Sequence, residues 1–283
     1  MFPLRYIPPD NYEIDLHFYS TFSKRYTGKV IHQSSDYILM KDIEYGEVFI
    51  HNGKYVSARS DEHIINETMV HGLLSCLSKP KRVLIIGDLD GGVLCEVLKW
   101  PSLELVVQAN QHKSFQDDYL KIGPEWIRKI YNDPRVKYIN KYGLYFLEDL
   151  NNTKSGLKFD AIILGANEAE DIMGLRLFYS ALDHLAEGGG IALYGQKSSD
   201  KYDFYTTTHL QRKMLDDTCK LKSDYTYFET KRFIPSCDLD VNTFYFVPKI
   251  WEDILHVAPR ISSCRHFTKD QFKDSLKNSN DTF

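Results

Sequence analysis

The residues best suited to chemistry lie together in a short segment, residues 87–92, which reads Gly-Asp-Leu-Asp-Gly-Gly. Its glycines let a ligand approach the backbone closely, because they carry no side chain. Its two carboxylates can accept hydrogen bonds from a ligand or hold a positive charge. The candidate binding residues of this segment are Gly87, Asp88, Asp90, Gly91 and Gly92.

The residues on either side of this segment predict a strand before it and a helix after it. Residues 83–86 form a short apolar run rich in β-branched side chains, which is typical of a strand buried on both faces of a parallel sheet. After the segment, Val93, Leu94, Val97 and Leu98 recur at helical spacing. A glycine turn between a strand and a helix lies at the carboxyl edge of a sheet, where doubly wound folds bind nucleotide-like cofactors.

The remaining pattern predicts two domains. Residues 1–60 contain short runs of alternating apolar and polar residues and an Asn-Gly turn at 52–53, which predict a small antiparallel β-domain. Residues 61–283 open with a helix and then alternate strands with helices, which predicts an α/β domain with a parallel, doubly wound sheet. In that domain, three glycines at 188–190 are expected to end a helix that begins near Leu175.

Composition excludes several classes of partner. The net charge of −4 and the scattered Lys and Arg argue against a nucleic-acid or membrane-binding protein, and no apolar run approaches transmembrane length. The five cysteines are far apart and lack zinc spacing, so we expect reduced thiols, a cytoplasmic location and no metal site.

Several landmarks occur in an order that resembles the spermidine synthase family of aminopropyltransferases. They are Tyr45-Gly46, Asn52-Gly53, Asp61-Glu62, Glu67, His71, residues 83–99, Asp133-Pro134-Arg135-Val136, Phe159-Asp160-Ala161 and Gln196. The resemblance implies an N-terminal β-domain and a Rossmann-like, methyltransferase-type domain. It also implies a homodimer that uses S-adenosylmethionine, or its decarboxylated form, as a co-substrate.

The glycine turn is the part of the chain that most resembles the family. The family turn is Gly-Gly-Gly-Asp-Gly-Gly, and Asp90 matches its acid, which receives the ammonium group of the donor's propyl arm. Asp90 is therefore the first candidate catalytic residue. Alternatively, Asp90 caps the helix that follows, and both roles can hold. Gln196 also matches the family's donor-binding pattern.

Other positions at the implied donor site depart from the family. Gln108 replaces the acid that would bind the donor ribose, and Gln can still bond hydroxyl groups. Tyr142 and Gly143 replace an Asp-Gly near the adenine, where the tyrosine ring could stack on the base. Gly165 replaces an Asp that helps to deprotonate the attacking amine, and Glu168 could take the place of a second, nearby Asp.

The residues implied for the acceptor site also differ from those of the family. Ile65 and Asn66 replace the family's Tyr and its polar neighbour in the acceptor groove. Glu67 is expected either to face this site or to pair locally. Asp238 and Asp240 could supply acceptor-binding acids or simply lie in a loop.

The loss of acids makes putrescine a poor acceptor, because the enzyme must bind both ammonium groups of a diamine and must accept a proton from it. A phosphate oxygen or a thiolate needs no deprotonation, so the acceptor is expected to be a specialised small molecule or peptide-nucleotide, as in microcin C-type antibiotics. Three alternatives remain: a catalytically inactive binding or regulatory subunit, a polyamine aminopropyltransferase with a rebuilt acceptor site, and an ordinary methyltransferase.

Overall fold

The computed structural model describes residues 28–34, 37–51, 54–165, 172–197, 204–221, 225, 227–235, 240–248, 264, 265 and 268. The chain divides after Glu62 into two compact units. Residues 1–27 of the predicted β-domain and the turn predicted at 52–53 lie outside the described residues.

The first unit contains four antiparallel strands in the order β1-β2-β3-β4. Their bounds are β1 (Lys29–Gln33), β2 (Tyr37–Asp42), β3 (Gly46–His51) and β4 (Lys54–Ala58). The apolar side chains of Met40, Val48, Ile50 and Ala58 cluster in its interior. The predicted antiparallel β-domain is therefore confirmed. Strand β1 was not predicted, because its side chains are only partly buried and show no marked apolar alternation.

The second unit alternates helices and strands. Its elements are α1 (Glu62–Leu74), β5 (Arg82–Ile86), α2 (Gly92–Leu98), β6 (Leu105–Ala109), α3 (Lys113–Ile122), α4 (Glu125–Tyr131), β7 (Val136–Ile139), α5 (Gly143–Asn152), β8 (Phe159–Leu164), α6 (Ile172–Asp183), β9 (Leu185–Lys197), α7 (Phe204–Leu221), β10 (Phe228–Ile234) and β11 (Asp240–Pro248). Across the described ranges, no helix is both long enough and apolar enough to cross a membrane.

The second unit is built on one seven-stranded sheet, in the order β10-β11-β9-β8-β5-β6-β7. Strands β9, β8, β5, β6 and β7 are parallel, while β11 and β10 close one side as an antiparallel pair. The chain runs outward from β5 to β7 and then returns to β8, so the direction of winding switches between β5 and β8. This arrangement confirms the predicted Rossmann-like, doubly wound fold and places its ligand-binding crevice at the carboxyl ends of these strands.

The expectation that residues 188–190 end a helix is wrong. Helix α6 already ends at Asp183, and the three glycines lie inside β9. Close packing explains Gly189 and Gly190: a Cβ on Gly189 would lie 2.9 Å from the Asp160 carbonyl oxygen, and one on Gly190 would lie 2.9 Å from Leu73 Cδ1. These two glycines allow the strand to pack tightly against its neighbours, whereas Gly188 has a positive φ of 72°.

A buried chain of hydrogen bonds joins α1 to α2. Trp100 Nε1 donates to His71 Nδ1 at 3.1 Å, so the imidazole is neutral and its Nε2 donates to Glu96 Oε2 at 3.0 Å. Lys99 Nζ lies 2.5 Å from the same carboxylate oxygen. Burial raises the pKa of Glu96, but the hydrogen bonds from His71 and Lys99 outweigh it and hold that pKa below its ordinary value. This network fixes the helix that follows the glycine turn.

Candidate functional site

Four of the predicted site segments lie at one edge of the sheet. Residues 87–92 follow β5, Gln108 lies near the end of β6, Tyr142 follows β7, and Gly165 follows β8. Backbone hydrogen bonds fix the neighbouring strand ends: Gly87 N–H donates to Ala109 O at 3.0 Å, and Gly165 N–H donates to Ile86 O at 2.9 Å. The parallel sheet thus brings together segments that lie far apart in the sequence.

The glycine turn is held by the side chain of Asp88. Asp88 has a left-handed backbone with φ of 61°, which is unfavourable for a residue with a Cβ. Its carboxylate accepts hydrogen bonds from Val93 N–H at 3.0 Å and from Leu94 N–H at 2.9 Å. Asp88 therefore caps the N-terminus of α2, and these two bonds offset the strain of its backbone.

Asp90 makes fewer contacts than Asp88. Its Oδ1 accepts a hydrogen bond from Gly92 N–H at 3.2 Å. Its Oδ2 is buried and receives no hydrogen bond from the described residues. Asp90 thus holds one amide of the turn, as the capping alternative expected, while one oxygen is left for a further partner.

The pKa of Asp88 is changed by burial and by the neighbouring acid. Burial raises the pKa of Asp88 well above its usual range, and the negative charge of Asp90 raises it further. The hydrogen bonds from Leu94 and Val93 act in the opposite direction, but burial and like charge prevail. Burial and the neighbouring negative charge thus disfavour the ionised form of Asp88.

The side chain of Gln108 holds the backbone of the turn by hydrogen bonds. Its side chain is fully buried, and its Nε2 donates to Asp88 O at 2.7 Å and to Gly87 O at 3.3 Å. Asn110 Nδ2 donates to the same Gly87 oxygen at 3.3 Å. Within the described chain, Gln108 Oε1 is buried without a hydrogen-bond partner. The contact predicted between Gln108 and a ribose stays a prediction, since both amide hydrogens already bind the backbone.

Tyr131 is a neighbour of the site that the sequence reading missed. A Cβ built on Gly91 would lie 3.7 Å from its ring, which makes an edge-to-face contact with Tyr138 at 6.4 Å. Burial, and to a smaller extent the charge of Asp88, raise the pKa of Tyr131 well above its usual value. Tyr131 is therefore a neutral phenol beside the acids of the turn.

The segment after β7 is also closely packed. Tyr142 packs partly against the core and contacts the exposed ring of Tyr145 edge to face, with centroids 5.7 Å apart. Gly143 begins α5, and a Cβ there would lie 2.3 Å from Ile86 Cγ2. The glycine is thus required for packing, and stacking of Tyr142 on a base stays a prediction.

Gly165 places only backbone at the tip of β8. A Cβ at this position would lie 3.1 Å from Ile86 O and 3.2 Å from Asp88 N, which is tighter than ordinary contact. The described residue at this position therefore supplies no base.

The residues predicted for the acceptor side are only partly described. Asn66 is buried on α1, and its amide lies against Gly92. Glu67 is buried, and its Oε1 accepts a hydrogen bond from the backbone N–H of Arg265 at 2.7 Å, a partner that is distant in the sequence. Glu168 and Asp238 lie outside the described residues, and for Gln196 the structure describes only the backbone, within β9. In the parts of the chain that can be searched, no group of three His, Cys, Asp or Glu could hold a metal ion.

A doubly wound sheet with a glycine turn and acids at its switch point is the arrangement at which α/β folds of this class bind nucleotide-like ligands. Residues 62–228 match the family model of the spermine/spermidine synthase domain. This match covers more than half of the chain, and the chain belongs to the spermine/spermidine synthase family.

Curated relatives and solved structures agree with this assignment. The chain is 34% identical over 178 residues to a polyamine aminopropyltransferase of Saccharolobus islandicus, a match that covers 60% of this chain and 58% of that protein. It is 28% identical over 172 residues to a spermidine synthase of Schizosaccharomyces pombe, covering 59% and 54%. These matches therefore span somewhat more than half the length of each relative.

Solved structures show the same fold over most of the chain. A spermidine synthase in complex with the transition state analogue AdoDATO superposes with a TM-score of 0.73 at 19% identity, covering 91% of this chain and 90% of that one. The spermidine synthase from Thermotoga maritima gives a TM-score of 0.71 at 20% identity, covering 87% and 83%. At such identities the likeness establishes the fold.

Proposed function

We propose that this chain transfers an aminopropyl group from decarboxylated S-adenosylmethionine to an anionic acceptor other than putrescine. The acceptor oxygen or sulfur forms a bond to the propyl carbon, and the bond from that carbon to the sulfonium breaks. The sulfonium becomes a neutral thioether, and methylthioadenosine is released. Family membership supports the transfer, and the details of the site support the choice of donor and acceptor.

The glycine turn supports a donor without a carboxylate. Asp90 Oδ2 is the buried oxygen that is left for the ammonium group of the donor arm. The amides of Val93 and Leu94, which could otherwise receive a donor carboxylate, are already bound by Asp88. S-adenosylmethionine would place its carboxylate beside two acids, and the amides of Val93 and Leu94 are not free to receive it, which disfavours it as the donor.

The choice of acceptor rests on the lack of a side chain at Gly165. An amine acceptor is protonated at neutral pH and must lose a proton before it attacks. At the tip of β8, where a base would stand, the chain has only the backbone of Gly165. A phosphate oxygen or a thiolate needs no such base, because positioning beside the sulfonium carbon is most of what the displacement requires. The phosphate of a microcin C-type peptide-nucleotide is an acceptor of this kind.

The direct test is an acceptor panel with the purified protein. Decarboxylated S-adenosylmethionine and S-adenosylmethionine are each incubated with putrescine, a nucleotide phosphoester and a low-molecular-weight thiol. We expect methylthioadenosine with the decarboxylated donor and an anionic acceptor, with a product heavier by one aminopropyl group. Efficient turnover of putrescine would contradict the acceptor assignment, and a product carrying an aminocarboxypropyl group would contradict the donor assignment.

A binding subunit without turnover is the second candidate. It is supported by Gly165 and by Gln108, whose amide hydrogens are both bound to the backbone of the turn. This candidate predicts that the donor binds but that no acceptor in the panel yields methylthioadenosine.

A further inference from the structure

The carboxyl group of Glu67 is buried on α1 and binds a segment that lies much later in the chain. Glu67 is 1% exposed, and its Oε1 accepts a hydrogen bond of 2.7 Å from the backbone N–H of Arg265. The two residues are 198 positions apart in the sequence. Because Arg265 is an exposed residue that donates from its backbone, the contact depends on the main chain at this position and on the carboxyl group of Glu67.

The preceding residue, Cys264, lies close to both α1 and α2. Burial, and then the negative charges of Glu67 and Glu96, raise the pKa of the Cys264 thiol to about 11, while the positive charge of Lys99 acts in the opposite direction. Glu67 belongs to α1 and Glu96 to α2, so these charges reach the thiol from two helices. The segment 264–265 therefore lies against the pair of helices that flanks the glycine turn.

Helix α1 is held to α2 on either side of Glu67. The amide of Asn66 lies against Gly92, where a Cβ would come within 2.0 Å of Asn66 Nδ2. His71 Nε2 is bonded to Glu96 at 3.0 Å. Glu67 and His71 are four residues apart, so they are neighbours on one face of α1. The bond to Arg265 thus joins α1 at a residue between its two contacts with α2.

The position of α1 matters because this helix carries Ile65 and Asn66, the residues implied for the acceptor site. Glu67 follows them directly in the sequence. A shift of α1 along or about its axis would break the bond to Arg265 and leave a buried carboxyl oxygen without its donor, which is unfavourable. The bond therefore restrains the helix at the point where the acceptor residues lie.

We infer that residues 264–265 anchor α1, and that Glu67 and the backbone N–H of Arg265 are positioning groups for the acceptor. They act through Ile65 and Asn66 rather than by contact with the acceptor, because the side chain of Glu67 is buried. The inference rests on the proposed function, since the acceptor is taken to bind beside α1. It gives the region around Cys264 a role in the transfer reaction that is independent of the Arg265 side chain.

Substitutions at position 265 separate the backbone from the side chain. Arg265→Pro removes the N–H that Glu67 accepts, whereas Arg265→Ala keeps it and is the matched control. Steady-state release of methylthioadenosine is measured for the full chain with decarboxylated S-adenosylmethionine and a nucleotide phosphoester or, if it reacts faster, a low-molecular-weight thiol. We expect the KM for this acceptor to rise about tenfold in Arg265→Pro with little change in kcat, and to keep the wild-type value in Arg265→Ala.

Substitutions at Glu67 test the other end of the bond. Glu67→Met removes the accepting oxygen and should raise the same KM, while Glu67→Gln can still accept the N–H and should retain most of the affinity that Glu67→Met loses. Adding Arg265→Pro to Glu67→Met should raise the KM no further, because both changes break one bond. If Arg265→Pro does not fold, the comparison of Glu67→Met with Glu67→Gln decides the matter.

The outcomes distinguish this inference from the proposed function. Turnover with equal acceptor KM in Arg265→Pro and Arg265→Ala would overturn the inference and leave the proposed function intact. A lower thermal stability of Arg265→Pro without a rise in KM would show that the contact serves folding alone, and would overturn the inference in the same way. A wild type that releases no methylthioadenosine with either acceptor would overturn the proposed function and the inference with it.

Discussion

The side-chain amide of Asn66 lies directly against the backbone of Gly92. A Cβ at position 92 would come within 2.0 Å of Asn66 Nδ2 and 2.7 Å of its Cγ. Helix α1, which carries the predicted acceptor-side residues, therefore packs onto the first residue of α2, which follows the donor turn. The two halves of the candidate site therefore meet at this contact.

Replacing Gly92 with alanine should destabilise the protein through this contact. Overpacking typically costs about 1–3 kcal/mol, and we expect a loss of this size in the free energy of unfolding of Gly92→Ala, measured by chemical denaturation. Asn66→Ala in the same chain should recover part of the loss. Asn66→Ala alone is the control, because it removes the amide without adding a Cβ at position 92. Strictly additive effects of the two changes at 92 and 66 would refute a direct contact.

Asp88 should make the stability of the protein depend on pH. Because its pKa is raised in the folded state, its favourable contribution is present below the ordinary Asp pKa of about 4 and is lost as the pH rises through the folded value. Asp88→Asn has no such group, so the free energy of unfolding of the wild type should fall relative to that variant between pH 4 and neutrality. Parallel pH curves for the two proteins would show that Asp88 is not perturbed.

The buried chain from Trp100 to Glu96 should contribute measurably to stability. Trp100→Phe removes the N–H that His71 Nδ1 accepts and leaves a buried acceptor without a partner, which typically costs about 1–3 kcal/mol. Thermal and denaturant unfolding measure this loss. Tyr179→Phe removes a hydroxyl from a ring that is 42% exposed, and it should have little effect. Equal stabilities of the two variants would argue against the hydrogen bond.

Restoring the acid at the tip of β8 should change the acceptor. Gly165→Asp places a carboxyl group where the family has its base, and the close contacts with Ile86 O and Asp88 N predict a stability cost of about 1–3 kcal/mol. We expect methylthioadenosine release with putrescine to rise in this variant. Gly165→Asn has the same size but no base, and it should not gain this activity. Equal rates for the two variants would refute the role assigned to the missing acid.

The local pattern of the sequence was sufficient to predict the strand, the turn and the helix around residues 87–92, because each depends on nearby residues. The roles of the two acids were harder to predict. Asp88 as well as Asp90 binds amides at the start of α2, and the left-handed backbone of Asp88 that accompanies this is seen only in the folded turn. Gln108 likewise turns toward the carbonyls of the turn, which depends on how β5 and β6 pair.

Tyr131 was missed although the sequence contains a signal for it. Ile127, Ile130 and Tyr131 lie on one face of α4, at spacings of three and four residues, and that face packs against Gly91. The pattern shows that the face is buried, but only the folded chain shows that it is buried against the glycine turn. The prediction for the glycines at 188–190 was wrong because glycine occurs both at the ends of helices and in tightly packed strands, and the sequence does not distinguish the two.

We expect the donor to bind at the glycine turn with its ammonium group on Asp90. The most direct measurement is calorimetric titration of decarboxylated S-adenosylmethionine into the wild type, Asp90→Asn and the exposed control Asp117→Asn. A charge-assisted hydrogen bond contributes about 1.5–3 kcal/mol, so Asp90→Asn should bind the donor at least about tenfold more weakly, with unchanged affinity for methylthioadenosine. Equal donor affinities for Asp90→Asn and the wild type, or no donor binding by the wild type, would contradict the account.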